Sequence, residues 1–548
     1  MKRVPLLILF VWQIFNVSAQ QPNILWITTE DISPTLSMYG DSTAQTPNLD
    51  KLAAESLIYQ EAYTTVGVCA PSRSSLITGM YPVSIGTHQM RTGDDSFAWG
   101  NRSYEGDSKH FDINGNYIPL HSVVTPPEVK CFTEYLRKAG YFCTNNAKTD
   151  YQFAAPVTAW DQNGKHAHWK NRRPGQPFFS VFNTLVTHES KMWSHEDKPL
   201  TVNPDAVPLP EYFPNTSIIR RDVARHYSNV ELLDKFVGKV ISELEKAGQL
   251  DNTIIFFFSD HGGPFPRGKR EHYVSGLRVP LMIRIPGRLK QQYISDPVSF
   301  VDFAPTVLSL ANVEIPDHLQ GQAFLGNQKS NNPRKYIYGS GDRFDEHADR
   351  IRSVISNDFV YVRNYHPDLP AYKDVKYRRN MKMTNELLDL HAAGKLSDKE
   401  AYWFRQTKTK EEFYLRASDP YSLQNIIEEP KYKKEIGAHR RALKQWQNKI
   451  DDLGAKPEKK HFEDMWPGGI QPQTETPIVN SVGGQVSITC QTEGASIAYL
   501  IRDEKIEPSL DDGWKVYSEP VTLMPGQVLF AMATRIGFED SEILITKR

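Results

Sequence analysis

Pro22-Asn23-Ile24-Leu25-Trp26-Ile27-Thr28-Thr29-Glu30-Asp31 is a short apolar, partly β-branched run that stops abruptly at two acids. Its hydrophobicity is continuous rather than alternating, which marks a strand covered on both faces. The same kind of segment recurs. Thr46-Pro47-Asn48-Leu49-Asp50 opens a helix through about Ser56, with proline in the first turn. Thr133 to Lys138 reads as helix and Tyr141-Phe142-Cys143 starts a strand. Pro177 to Val186 is a strand ending near His188. Arg221 to Gly248 is a long amphipathic helix, and Thr253 to Ser259 is an apolar strand that ends in Asp260-His261. Helices alternating with buried strands imply an α/β fold with a mostly parallel central sheet. Ligands of such sheets bind beyond the carboxyl ends of the strands. One acid at one strand end is ordinarily a turn or helix cap. Acids and histidine after three separate strands, all on one edge, point to a site.

Beyond residue 335 the pattern changes. Tyr336-Ile337-Tyr338-Gly339 and Phe359-Val360-Tyr361-Val362 read as strands of a smaller antiparallel sheet. The charged stretch Lys373 to Lys410 reads as helix and exposed loop, and Lys431 to Asp452 as a basic amphipathic helix packed on the main domain. Pro and Gly concentrate in Gly468 to Pro477, the composition of a linker. From Ile478 onward all strands are short, as in Val486 to Cys490 and Gln527 to Thr534. The expected division is therefore 1–19, 20–335, 336–467, a linker at 468–477 and an all-β module at 478–548. That module resembles the immunoglobulin-like modules at the C-termini of some chitobiases and other carbohydrate-active enzymes. Bracing of the larger domain is the expected role, with sugar binding as the alternative.

With 548 residues the chain exceeds one ordinary domain. Its 64 basic and 65 acidic residues create no global field for nucleic acid or an anionic membrane, so an anionic substrate must be met by local cations. Lys2 and Arg3, the apolar stretch Leu6 to Val17 and the small residues Val17-Ser18-Ala19 read as a signal peptide. The expected mature chain is exported, to the periplasm or beyond, without a membrane span. Its cysteines are Cys69, Cys131, Cys143 and Cys490, too few for a disulfide scaffold. Cys131 and Cys143 flank a helix-to-strand turn and are either a bridge or two buried thiols. Cys490, in a predicted strand, is expected in the core.

The chemistry centres on Cys69-Ala70-Pro71-Ser72-Arg73, followed by Ser74-Ser75-Leu76-Ile77-Thr78-Gly79. By composition, a Cys before a helix with Arg four residues on suggests a low-pKa thiolate, with His88 or His188 as base. The full motif, however, resembles the hallmark of type I sulfatases, over roughly Pro22 to Asp452. The resemblance implies an alkaline-phosphatase-like fold and conversion of Cys69 to formylglycine by a maturation enzyme. The hydrated aldehyde then presents a hydroxyl that attacks sulfur. The implied metal ligands are Glu30, Asp31, Asp260 and His261, with an oxygen of the modified Cys69. Hard oxygen donors favour Ca²⁺ over Mg²⁺. Glu30 departs from the usual Asp by one methylene. Arg73 is implied to orient the nucleophile, Lys148 and Lys269 to contact sulfate (with Arg270 the one-residue-off alternative), and His188 to protonate the leaving group. Asp150 stands where a second His is usual and is the candidate to replace it, with His88 as the other. Pro264-Phe265-Pro266-Arg267-Gly268-Lys269 is similar to the heparan N-sulfatase branch. Substrate-side candidates are His88, Arg343, Asp345 and His347, with Arg91, His166, His168 and Arg350 behind them. The implied function is removal of sulfate from a sulfated glycan. The alternatives are a formylglycine phosphodiesterase or phosphonate hydrolase, or an inactive glycan-binding protein.

Overall fold

The structure, a computed structural model, describes residues 21–548 except 94, 101, 289, 504, 505 and 507. The signal segment expected at 1–19 lies outside the described residues. Strands β1 (Asn23–Thr29), β2 (Ser56–Tyr63), β3 (Phe142–Asn146), β4 (Gln162–Asn163) and β5 (Phe178–Thr184) share one sheet with β6 (Thr253–Ser259), β7 (Arg278–Arg284), β8 (Gln292–Ile294) and β9 (Val298–Ser299). The order is β8-β2-β7-β6-β1-β5-β3-β4, with β9 also beside β2. Pairing is parallel except for β7, which runs against both β2 and β6. The sheet is therefore mixed, with a parallel centre.

The continuous hydrophobicity of β1 has the expected cause. Trp26 points to one face, among Phe132, Phe179, Phe256, Phe258 and Phe303 with ring centroids 5.0–6.2 Å away. Leu25 and Ile27 point to the other face, into a cluster with Ile255, Phe257 and the apolar side of the helix Ser217–Lys246. That helix begins four residues before the expected Arg221, because the Thr216 side chain accepts from the Ile219 amide and caps it there. Register sets the site: Thr29 lies abreast of both Ser259 and Thr184, so Glu30-Asp31 and Asp260-His261 leave the sheet side by side.

A second sheet, β10 (Ile337–Gly341), β11 (Ile351–Ile355), β12 (Phe359–Asn364) and β13 (Glu411–Leu415), is antiparallel in that order. The basic helix Lys433–Ile450 packs on it, Trp446 stacking on Tyr338 at 4.9 Å. The charged stretch 373–410 is less exposed than its composition suggests. Met381, Met383, Leu387, Trp403 and Phe404 join the core beneath the helix Ser217–Lys246.

That packing yields a pH prediction. The Asp222 carboxylate accepts the Met383 amide at 2.7 Å, and burial pushes its pKa from 3.8 up to about 6. The unfolded chain releases this proton near pH 3.8, whereas the folded chain holds it to about 6. Asp222 therefore subtracts stability as pH rises through that window, on the order of 2–3 kcal/mol once above it. In melting experiments the advantage of Asp222→Asn over the parent is expected to grow from pH 4 to pH 6 and then level off. A difference that does not change with pH would refute this.

The C-terminal strands form two small antiparallel sheets: β14 (Ile478–Val482), β15 (Gln485–Thr489) and β18 (Val521–Thr522) in one, and β16 (Ser496–Arg502), β17 (Lys515–Val516), β19 (Val528–Thr534) and β20 (Leu544–Lys547) in the other. Val486 and Ile488 of the first pack on Leu529 and Ala531 of the second. Phe530 and Met532, on the opposite face of β19, meet Val157 of the large domain. All of β19 is buried as a result. The segment expected as a linker is pinned rather than free: the Thr474 amide donates to Glu539 O at 3.0 Å and the Glu539 amide to Pro472 O at 2.9 Å. Two cysteine expectations resolve as well. Cys131 and Cys143 are buried thiols without a bridge. Cys490 is not core; it follows β15 by one residue and is half-buried, its Sγ 3.2 Å from the Glu475 carbonyl.

Candidate active site

Cys69 opens the helix Cys69–Thr78, every residue of which is buried. Residues three and four positions apart share a helix face, so Ser72 and Arg73 project beside Cys69. Ser72 Oγ donates to the Asp260 carbonyl at 2.5 Å, fastening the helix to the end of β6. Arg73 Nε donates to Asp260 Oδ2 at 3.2 Å, its Nη1 to Asn183 Oδ1 at 2.8 Å and its Nη2 to Glu30 Oε1. The motif thus places thiol, hydroxyl and guanidinium on the one face that meets the strand ends.

Around Cys69 Sγ lie His261 Nε2 at 3.3 Å and Glu30 Oε2 at 3.7 Å. Glu30, Asp31, Asp260 and His261 are all fully buried. Lys148 Nζ bonds Glu30 Oε2 at 2.7 Å, and Lys269 Nζ bonds Asp31 Oδ2 at 2.9 Å. The six charges of these acids and cations partly neutralise one another in a dry setting. Burial would raise the Glu30 carboxyl, yet Lys148 and Arg73 hold it well below the usual range. The Asp260 carboxyl is pushed up instead, by burial and then by Glu30. Gly262 lets this loop close: an added Cβ would lie 2.2 Å from the Ser275 carbonyl.

The donor set suits a divalent cation. Ligand atoms of Glu30, Asp31, Cys69 and His188 converge within 4.8 Å of one another, as do those of Cys69, Asp260 and His261. His261 Nδ1 donates to the Gly262 carbonyl at 2.9 Å and Nε2 lies 3.1 Å from Asp31 Oδ1. Burial would lower the ring's pKa, but Asp260 and Asp31 hold it well above the usual value, so Nε2 carries a proton that a bound cation would displace. Such a turned imidazole beside crowded carboxylates is a ligand arrangement.

His188, half-buried beside Glu30 and Asp31, has its Nδ1 2.8 Å from Ser190 Oγ. The Ser190 amide donates to the same nitrogen at 3.2 Å, which puts the ring proton on Nε2. Burial, then Lys269, lowers its pKa to about 4. Asp150 lies 3.4 Å from Lys148 Nζ and 3.7 Å from Arg91 Nη2, paired with two cations.

The other sugar-side candidates scatter. Asp345 reaches the site's second layer by pairing with Arg270 Nε. Arg343 does not face a ligand: it is 1% exposed and bonds Glu458 through Nε and Nη2 at 2.8–3.0 Å. His88 is likewise turned inward, its ring 6.0 Å from that of His461. His347 is tied by backbone bonds to Phe344, and His166 and His168 face Asp511 and Glu243. Arg350 lies over the Tyr365 ring at 4.0 Å. Two residues escaped the sequence reading. Glu189 grips Arg270 through both oxygens at 2.9 Å and Lys269 at 3.2 Å. Asn183 braces Arg73. Glu189 directly follows His188 at the sheet edge, and that position was its signal; Asn183 inside β5 carried none.

The chain matches the sulfatase family over residues 22–151 and 164–313, and the N-sulphoglucosamine sulphohydrolase C-terminal family over 265–395. It is 40% identical to an ulvan-active sulfatase of Formosa agariphila, over 96% of this chain and 91% of that one. It is 26% identical to human N-sulphoglucosamine sulphohydrolase, over 79% and 91%. A structure solved with its substrate D-glucosamine-2-N,6-O-disulfate superposes with a TM-score of 0.55 at 18% identity, covering 80% of this chain and all of the other. The phosphonate monoester hydrolase of Silicibacter pomeroyi gives 0.55 at 15% identity, over 80% and 97%.

Proposed function

The chain belongs to the sulfatase family, and from that premise we propose that it removes sulfate from an acidic polysaccharide of the ulvan kind, with Cys69 converted to formylglycine. It is a sulfuric ester hydrolase acting on sulfated glycan. The carrying observation is the convergence of Arg73, Lys148 and Lys269 with three buried carboxylates on Cys69. Formylglycine, as its hydrate, supplies the hydroxyl for sulfur. Glu30, Asp31, Asp260 and His261 would hold a divalent cation, Ca²⁺ by their oxygen-rich donor set, which neutralises charge on the sulfate oxygens. Lys148 and Lys269 carry the rest of the sulfate charge, Arg73 fixes Glu30 against Asp260, and His188 offers Nε2 to the departing oxygen. Asp150 keeps Lys148 and Arg91 in place.

Export rests on the N-terminal sequence pattern, and among the described residues no helix is long and apolar enough to cross a membrane. A division of the chain at 335, 467 and 477 and an immunoglobulin-like character for the last module belong to the same reading. Bracing fits that module because its second sheet is occupied on both faces.

Sulfate release from ulvan oligosaccharides, set against turnover of a phosphonate monoester, tests the assignment; dominant phosphonate turnover would overturn it. Stripping with a chelator is expected to lower turnover by ~10²-fold or more and to lower the unfolding temperature, since the ion binds only the folded chain. Ca²⁺ should restore both. If neither quantity moves on stripping, the metal assignment fails.

A further inference from the structure

Two aromatic side chains lie on the segments next to His188 and to the Lys269 anchor Arg378, and have no part in the arrangement above. Trp193 lies on the short helix Lys191–Ser194, just past His188. Tyr377 lies on the 3-10 turn Lys376–Asn380, from the other half of the chain. Their rings meet edge to face, centroids 5.0 Å apart and planes at 77°.

Each arm is tied to a candidate catalytic group. On the first, Ser190 bonds His188. On the second, Arg378 donates to the Lys269 carbonyl at 2.7 Å. Arg378 is 1% exposed, so this anchor lies inside the protein and its neighbour Tyr377 is turned outward, 43% exposed. The Lys376 amide, bonded to Glu346 Oε1 at 2.8 Å, holds the start of the same turn. Burial, then the charge of Glu189, raises the pKa of the Tyr377 phenol, which puts the hydroxyl near the segment that follows His188.

A single exposed tyrosine is ordinary. An aromatic pair held from behind by the segments that carry His188 and Lys269 is a prepared surface. We propose that Trp193 and Tyr377 form a second sugar subsite, on which a pyranose ring beyond the sulfated residue stacks. The C–H groups on a pyranose face meet the electron-rich face of an aromatic ring, and rigid rings lose little entropy in doing so. The proposal rests on the reading of the protein as a glycan sulfatase and adds to it a preference for chains over single sugars.

The test compares kcat/KM on sulfated ulvan oligosaccharides with kcat/KM on the sulfated monosaccharide prepared from them. The ratio of the two is expected to fall about tenfold or more in Trp193→Ala and in Tyr377→Ala. An aromatic replacement, Tyr377→Phe, should restore most of it. If Trp193→Ala does not fold, the exposed Tyr377→Ala decides. A working parent whose ratio is unchanged by Tyr377→Ala overturns the subsite alone. A parent that releases no sulfate from either probe overturns the glycan-sulfatase reading and the subsite with it.

Discussion

Cys69→Ala protein is expected to release sulfate at least ~10⁴-fold more slowly than the parent, while still binding a sulfated ligand. Cys69 is fully buried at the first position of its helix, and alanine there removes one sulfur without opening the fold. The cations proposed to meet sulfate charge come from other positions, Lys148 held by Glu30 and Lys269 by Asp31 and Glu189, while Arg73 is held by Glu30 and Asp260. Binding and bond cleavage therefore separate in this variant. The checks are sulfate release, ligand binding by calorimetry, and the mass of the peptide that covers Cys69 in the parent. A parent active with an unmodified Cys69, or an active Cys69→Ala variant, removes the nucleophile from the proposal.

His188→Ala is expected to cost ~10²–10⁴-fold on sugar sulfates and far less on an aryl sulfate. The phenol of an activated aryl sulfate leaves without a proton, whereas a sugar hydroxyl needs one. Ser190 occupies Nδ1 and leaves Nε2 for that transfer. In the free site burial and Lys269 keep the ring neutral down to about pH 4. A bound sulfate brings negative charge beside it and raises its proton affinity, so the acid forms in the complex. Because His188 acts as an acid it must be protonated, so the alkaline limb of kcat/KM should reflect the free His188, and that of kcat the same group at a higher pKa. Equal losses on sugar and aryl sulfates would assign His188 to holding the cation instead, since it also borders Glu30 and Asp31.

The edge of the sheet was legible because it follows from local pattern. A strand buried on both faces must be apolar throughout, so the first acids after Thr29 and Ser259 mark its end. The Cys69 motif was legible through its resemblance to the type I sulfatase hallmark, and its spacing i, i+3, i+4 sets three functional groups on one helix face. The substrate side was not legible. Arg343 sits in a segment dense with polar groups, Gly341 to His347, and composition does not tell a ligand-facing arginine from one consumed by Glu458. Lys373 to Lys410 misled in the same way, its charge concealing the Met381, Met383 and Trp403 side chains that enter the core.

By itself, then, the sequence determined the α/β architecture and the strand ends that bear the acids from local hydrophobic pattern, and the helix that bears Cys69 from its motif. Only the tertiary structure decided which cation neutralises which carboxylate, that Glu189 locks Lys269 to Arg270, and that Trp193 meets Tyr377 from the far half of the chain. Those contacts join segments distant in sequence, and their geometry is fixed by how sheet, helices and second sheet pack rather than by any pattern a single segment carries.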